Sequence, residues 1–122
     1  MFGINQTQKI FIYGKSCDMR KGFNGLFGLV QNEMELNPLC GYLFVFLSKH
    51  RTKIKILFWD NDGLVVYAKR LEKGTFKRPT AQINAPNSEL FIEELFMILR
   101  GINPIAIKTK KRRRYLSPNN VD

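Results

Sequence analysis

The segment Tyr42-Leu43-Phe44-Val45-Phe46-Leu47 constrains the fold more than any other part of the chain. Successive side chains on a strand point to opposite faces. A strand that is apolar at every position therefore needs cover on both sides. The run is far shorter than the ~20 apolar residues of a membrane span. It must be buried by the rest of the chain, whose 122 residues are one domain's worth and enough for a real core.

The neighbouring segments supply partners. Lys53 to Trp59 and Leu64 to Arg70 read as two further strands joined at Asp60-Asn61-Asp62-Gly63. Asp and Asn bond their own backbone in such turns, and Gly63 is expected to take the positive φ. Lys9 to Tyr13, closed by Gly14, reads as a first strand, and Thr75 to Lys77 as a short edge strand. Short turns imply antiparallel pairing.

Two helices are expected. Asp18 is placed to cap the first, running to about Glu35, with Phe23, Leu26, Phe27, Val30 and Met34 as its buried stripe. Arg20 and Lys21 would then oppose the helix dipole, which points either to anion binding or to an ion pair. Gly22, Gly25 and Gly28 form a flat strip, suited to close approach by a sheet or merely tolerated. Asn87 or Ser88 caps a second helix from Glu89 to Arg100, stopped by Gly101.

The fold class read from this pattern is α+β. A small antiparallel sheet of three to four strands packs with two helices on one side, in the order β-α-β-β-β-(β)-α. Residues 1–107 form the domain. Residues 108–122 form a flexible basic tail.

Charge narrows the function. The chain carries 20 Lys+Arg against 10 Asp+Glu, a net +10, which points to a polyanion or an acidic partner. One basic region is central, at positions 49–78. There Lys49 and Arg51 precede a strand face bearing Lys53, Lys55, Leu57 and Trp59, with Lys69 and Arg70 on the next strand. With Tyr67, this reads as a basic and aromatic face able to grip phosphates and stack bases. A merely solvated outer face with Trp59 as packing fits the same residues. The second region is the tail, where Lys108, Lys110, Lys111, Arg112, Arg113 and Arg114 crowd together. Each phosphate neutralised on duplex DNA adds roughly −0.9 to the salt slope. A solubility tail or a nuclear targeting signal has the same composition.

Enzyme chemistry finds little support. There is no Gly-rich phosphate loop and no nucleophile elbow. Asp60 and Asp62 suggest a calcium loop, but its sixth and twelfth positions would be Val65 and Leu71 rather than Gly and an acid. Asp18, Asp60 and Asp62 match a metal-dependent nuclease on residue type alone. His50 is the sole histidine, and no cofactor or metal is expected. Cys17 and Cys40 read as reduced, buried thiols, because Met1 to Lys9 is not the start of a signal peptide. The expected location is cytoplasmic and nucleoid-associated, with no membrane.

Asp18-Met19-Arg20-Lys21-Gly22-Phe23-Asn24-Gly25-Leu26 closely resembles the D-M-R-K-G-F-[DN]-G-L segment of the TnpB accessory proteins of the insertion-sequence-66 family. Phe44-Val45-Phe46, Ile54-Lys55-Ile56-Leu57, Trp59-Asp60, Asp62-Gly63, Lys69-Arg70-Leu71-Glu72 and Gly74-Thr75-Phe76 follow in that family's order. The resemblance covers roughly residues 9–78. It implies a bacterial mobile element whose strand-transfer chemistry belongs to a separate transposase. The small protein would be a non-catalytic accessory subunit, and the RNA-guided nuclease also called TnpB shares only the name. The signature positions it carries over are Asp18, Arg20, Lys21, Lys55, Trp59, Asp60 and Gly63. Arg78 departs from the aromatic residue or Leu common in the family. The expected partners are therefore transposon-end DNA, contacted through its backbone, and the transposase. Docking on the transposase without DNA contact is the alternative.

Overall fold

In a computed structural model, described over residues 8–78 and 85–101, five strands form one sheet in the order β4-β3-β2-β1-β5. The strands are β1 (Ile10–Tyr13), β2 (Leu43–Leu47), β3 (Lys53–Asp60), β4 (Gly63–Arg70) and β5 (Asn87–Leu90). Helix α1 (Phe23–Gly28) runs on into a π-helical turn, Leu29–Glu33, and helix α2 spans Ile92–Leu99. The α+β class and the order β-α-β-β-β hold. The additional strand exists at Asn87–Leu90 rather than at Thr75–Lys77.

The sheet is mixed, not wholly antiparallel. β1 pairs with β2 in parallel, Phe11 opposite Phe44, while β5, β3 and β4 join antiparallel. Parallel neighbours need a crossover, and α1 provides it. Short-turn logic covers β2-β3-β4 but not this long connection.

The apolar run of β2 explains the layering. All five β2 residues are buried. Phe44 and Phe46 pack with Tyr13, Leu26, Leu29, Val30, Met34 and Leu57 beneath α1. Leu43, Val45 and Leu47 point the other way, into a cluster with Ile10, Ile12, Ile54, Ile56, Leu95, Ile98 and Leu99 beneath α2. The helices thus lie on opposite faces, which corrects the expectation that both sit on one side. A strand apolar on both faces requires that arrangement.

Helix α1 begins at Phe23, not at Asp18. Gly22 precedes it without a side-chain cap, and Leu26 N–H donates to the Gly22 carbonyl. Arg20 and Lys21 therefore stand before the helix rather than in its first turn. Phe23 is 52% exposed and leaves the buried stripe. The π-helical turn is closed by Met34 N–H on the Leu29 carbonyl, and Glu35 ends the element at φ 57°. The glycine strip makes no close approach to the sheet. A Cβ at Gly25 would meet the Lys21 side chain, and one at Gly22 would meet nothing within 4 Å. Gly14 is the glycine that matters sterically, since a Cβ there would collide with the Ala85 carbonyl.

Three further local expectations change. In the β3–β4 turn it is Asn61 that takes positive φ, 59°, and not Gly63. Asn87, Ser88 and Glu89 pair with Tyr13, Ile12 and Phe11 of β1 instead of starting a helix. Helix α2 is capped by Glu94, whose Oε1 accepts from Phe91 N–H at 2.7 Å. Phe91 has no side-chain acceptor with which to reciprocate. Cys40 is exposed while Cys17 is buried, and neither forms a disulfide.

Phe76 is fully buried in the α2-side cluster although it lies in no strand. Its N–H donates to the Arg51 carbonyl at 2.6 Å, which pins residues 71–76 against the β2–β3 turn. Phe76→Ala should therefore cost about 3–5 kcal/mol. Urea unfolding followed by circular dichroism should show the loss as a lower midpoint with an unchanged m-value.

Candidate nucleic-acid interface

The ends of β1, β2 and β4 and the start of β3 meet along one edge of the sheet. Residues 14–22, 48–52 and 71–78 connect there. Backbone bonds knit them together: Cys17 N–H to the Leu47 carbonyl at 2.8 Å, Leu71 N–H to Thr52 at 2.8 Å and Gly14 N–H to Pro86 at 3.0 Å. Arg51 adopts φ 60°, which lets the β2–β3 turn close after Ser48 accepts from its N–H.

Between these segments lies an open groove of about 450 Å³. One wall is Cys17 to Arg20; the other is Ser48 to His50 with Thr52 and Lys53. Lys15, Arg20, Lys21, Lys49, Arg51, Lys53, Arg70, Lys73, Lys77 and Arg78 all belong to the segments at this end of the sheet, against Asp18 and Glu72. Arg20 forks onto both Asp18 oxygens, at 2.7 Å for the closest contact, and Arg70 pairs with Glu72 at 2.9 Å. Among the described residues no ion pair joins Lys49, Arg51 or Lys53 to a carboxylate. Hydrogen bonds from the Arg20 side chain and backbone hold the Asp18 carboxyl well below the usual carboxylate range. Both side chains are solvated, so this pair shapes the turn more than it adds stability.

Two cations at this end are structural. Lys55 sends its ammonium beneath the 18–22 segment and donates to the Met19 carbonyl at 2.8 Å and to Lys21 at 2.9 Å. Arg78 donates to the Tyr13 carbonyl at 3.0 Å and to Lys15 at 3.1 Å. Burial lowers the pKa of Arg78, and the positive charge of Arg51 lowers it further. The departure from the family pattern at Arg78 is thus a guanidinium that ties β1 to the segment after Phe76.

The predicted basic and aromatic face is divided by the sheet. Lys53, Lys55 and Trp59 pair with Arg70, Ala68 and Leu64 on the α1 side. Tyr67 and Lys69 lie opposite Ile56 and Ile54 on the α2 side. Lys69 donates to the Leu99 carbonyl at the end of α2, 3.1 Å away. Trp59 stands six residues along β3 from Lys53, about 20 Å at ~3.3 Å per residue, so it is remote from the groove. Arg20, Lys49, Lys53 and the adjacent Arg51 are the predicted residues that the structure gathers. His50, Thr52 and Ser48 join them in the groove lining. Sequence reasoning passed over these three as turn residues, and the one available signal was their position within a basic turn. Lys108 to Arg114 lie outside the described residues.

The acidic residues do not converge. Asp18 borders the groove, whereas Asp60 and Asp62 occupy the β3–β4 turn at the far end of β3. Among the described residues no group of three or more His, Cys, Asp or Glu is placed to hold a metal ion. No helix among them is long and apolar enough to cross a membrane.

A family model described as IS66 Orf2-like protein matches residues 8–109, and the chain belongs to that family. It is a transposition-associated accessory protein. Relatives include the uncharacterized protein y4jC of Sinorhizobium fredii (strain NBRC 101917 / NGR234), 30% identical over 114 residues that cover 93% of this chain and 96% of the relative. The uncharacterized protein y4hO of the same strain is 37% identical over 82 residues, 67% of this chain and 71% of the relative. No solved structure matches the chain.

Lys55 and Cys17 allow the groove wall to be tested. Burial pushes the Cys17 thiol up to about 11 from an ordinary 9.0. Burial, then the hydrogen bond to Glu33, pushes Tyr13 up to about 12 from 10.0. Both folded values are raised, so the stability they contribute is complete below the unfolded values and is lost as pH rises through the folded ones. Thermal stability should fall between about pH 9 and 12, and Cys17→Ala with Tyr13→Phe should flatten that limb. Lys55→Met leaves two carbonyls unpaired and should cost about 1–3 kcal/mol. Alkylation at neutral pH should modify Cys40 quickly in both proteins, and Cys17 faster in the variant.

Proposed function

We propose that the protein binds the backbone of transposon DNA through the cationic end of its sheet, while a separate transposase carries out strand transfer. The carrying observation is that Arg20, Lys49 and Lys53 line one solvent-open groove with Arg51 in the same β2–β3 turn, and that Lys49, Arg51 and Lys53 have no carboxylate partner among the described residues. Like charges are costly to hold together: beyond the larger effect of burial, the positive charge of Arg51 lowers the pKa of Arg78. A phosphate backbone relieves that repulsion and releases counterions. The groove offers ammonium and guanidinium groups and hydroxyls, the donors typical of phosphate contacts. Phe23, exposed just after Arg20 and Lys21, adds a surface on which an unpaired base could stack. The basic tail from Lys108 to Arg114 extends the same electrostatic reach.

The reading fits positioning rather than sequence readout. Helix α1 has six residues and α2 eight, and the groove is built from loops at a sheet end. Association with the nucleoid follows from such binding.

A second reading is docking on the transposase. Phe91 at 53% exposed and Phe96 at 39% exposed on and beside α2 favour it. The two are separable. A salt titration of duplex binding should give a log–log slope that loses about 2.7 when Lys49, Arg51 and Lys53 are all changed to Ala, at roughly 0.9 per phosphate. Replacing the six tail bases with Gln should lower the slope further without changing base preference. A flat salt response in the unaltered protein would reject DNA contact. Loss of transposase co-purification in Phe91→Ser/Phe96→Ser, with the slope intact, would favour docking.

A further inference from the structure

We propose that β4 is a self-complementary edge through which two copies of the chain pair into one continuous ten-stranded sheet. β4 is an end strand of the sheet, and no described strand pairs with its outer side. Edge strands are normally blunted by proline, bulges, inward charges or shortness. β4 has no proline and no bulge, and its one inward charge, Lys69, is confined to the strand's last two residues, where it donates to the Leu99 carbonyl. The strand runs for eight residues, pairs with β3 in unbroken register from Gly63 to Arg70, and carries no charge from Gly63 to Ala68. The other edge, β5, is four residues long and follows Pro86, so it is already blunted.

The polarity of the edge selects the partner. Leu71 N–H donates inward to Thr52. Inward and outward groups alternate along a strand, so Leu64, Val66, Ala68 and Arg70 turn their N–H and C=O groups outward. Charge is segregated along the strand: Asp60 and Asp62 flank its start, and Lys69 and Arg70 end it, followed by Glu72, which pairs with the exposed Arg70 at 2.9 Å within its own copy. A second β4, antiparallel about a two-fold axis at Val66, brings the basic end of each copy beside the acidic turn of the other. The same register sets Leu64 against Ala68 on the α1 side. On the α2 side it sets Val65 against Tyr67 twice, an aromatic and β-branched pairing that sheets favour. A parallel partner would instead stack like charges at both ends. The symmetric contact closes at two copies and does not propagate.

This pairing points the two cationic ends in opposite directions. On the DNA-binding reading, with which this consequence stands or falls, one dimer holds two separate duplexes.

Sedimentation analysis of the full chain across a wide concentration range should show a species of twice the 14.2 kDa chain mass. Val66→Pro removes an outward N–H and leaves the β3 ladder intact, so it should be monomeric with an unchanged circular dichroism spectrum. Asp62→Arg and Arg70→Asp should each weaken the dimer, and the double variant should restore it. A monomer at every concentration would overturn the proposal. So would a dimer indifferent to both Val66→Pro and the charge reversals. For the consequence, bead-bound duplex should retain a second, labelled duplex with the unaltered protein and not with Val66→Pro. A dimer that binds no DNA would reject the DNA reading and leave the edge standing. A dimer that binds DNA without bridging would remove the two-duplex consequence alone.

Discussion

β2 is buried on both faces by its own side chains, and the rest of the molecule is arranged to supply the cover. Phe44 and Phe46 need one helix, and Leu43, Val45 and Leu47 need another. A single layer of helix would leave several large side chains in water, at about 1.5–3 kcal/mol each. The chain meets this demand by passing α1 across one face between β1 and β2 and sending α2 to the other. That crossover makes β1 and β2 parallel. With both faces of the sheet centre enclosed, charged side chains are driven to its ends and edges. The cationic groove is in this sense a product of the core.

The concentration of charge at one end has structural support within the protein. Lys55 and Arg78 place their charges against backbone carbonyls, so part of the positive potential is built into the walls. A carbonyl satisfies an ammonium or guanidinium donor without neutralising it, as a carboxylate would. The net field therefore persists outward. Lys49, Arg51 and Lys53 add to it from the β2–β3 turn, whose backbone is locked by the Arg51 and Phe76 bonds. The locked backbone fixes where these three side chains leave the turn, while the side chains themselves are exposed.

Much of the fold was legible in the sequence, and the failures have a common cause. Alternation in Lys53 to Trp59 assigned both faces of β3 correctly, because a paired strand obeys its own local period. The β3–β4 hairpin was equally local. What local pattern could not show was pairing over long separations. Asn87 to Leu90 carries the residues of a helix cap, yet becomes a strand because β1 offers an open edge seventy-odd residues earlier. The groove was half legible. Its cations were named from composition, but Tyr67 and Lys69 were grouped with Trp59 until the register put them on opposite faces. Arg20, 92% exposed at its side chain, could be found from sequence; its distance from Trp59 could not.

Part of the D-M-R-K-G segment has a plain structural explanation. Asp18 accepts from the Arg20 backbone and side chain, which folds residues 18–20 into a tight turn. That turn directs the Met19 and Lys21 carbonyls down onto Lys55, another signature position, thirty-odd residues away in sequence. Asp18 and Lys55 are thus explained by packing alone. Arg20 is not: an exposed turn could be closed by many residues, and a solvated ion pair adds little stability. Arg20 is among the residues that line the groove, as are Lys49 and Lys53. The signature therefore separates into a scaffold, Asp18 with Lys55, and a group presented by that scaffold, Arg20.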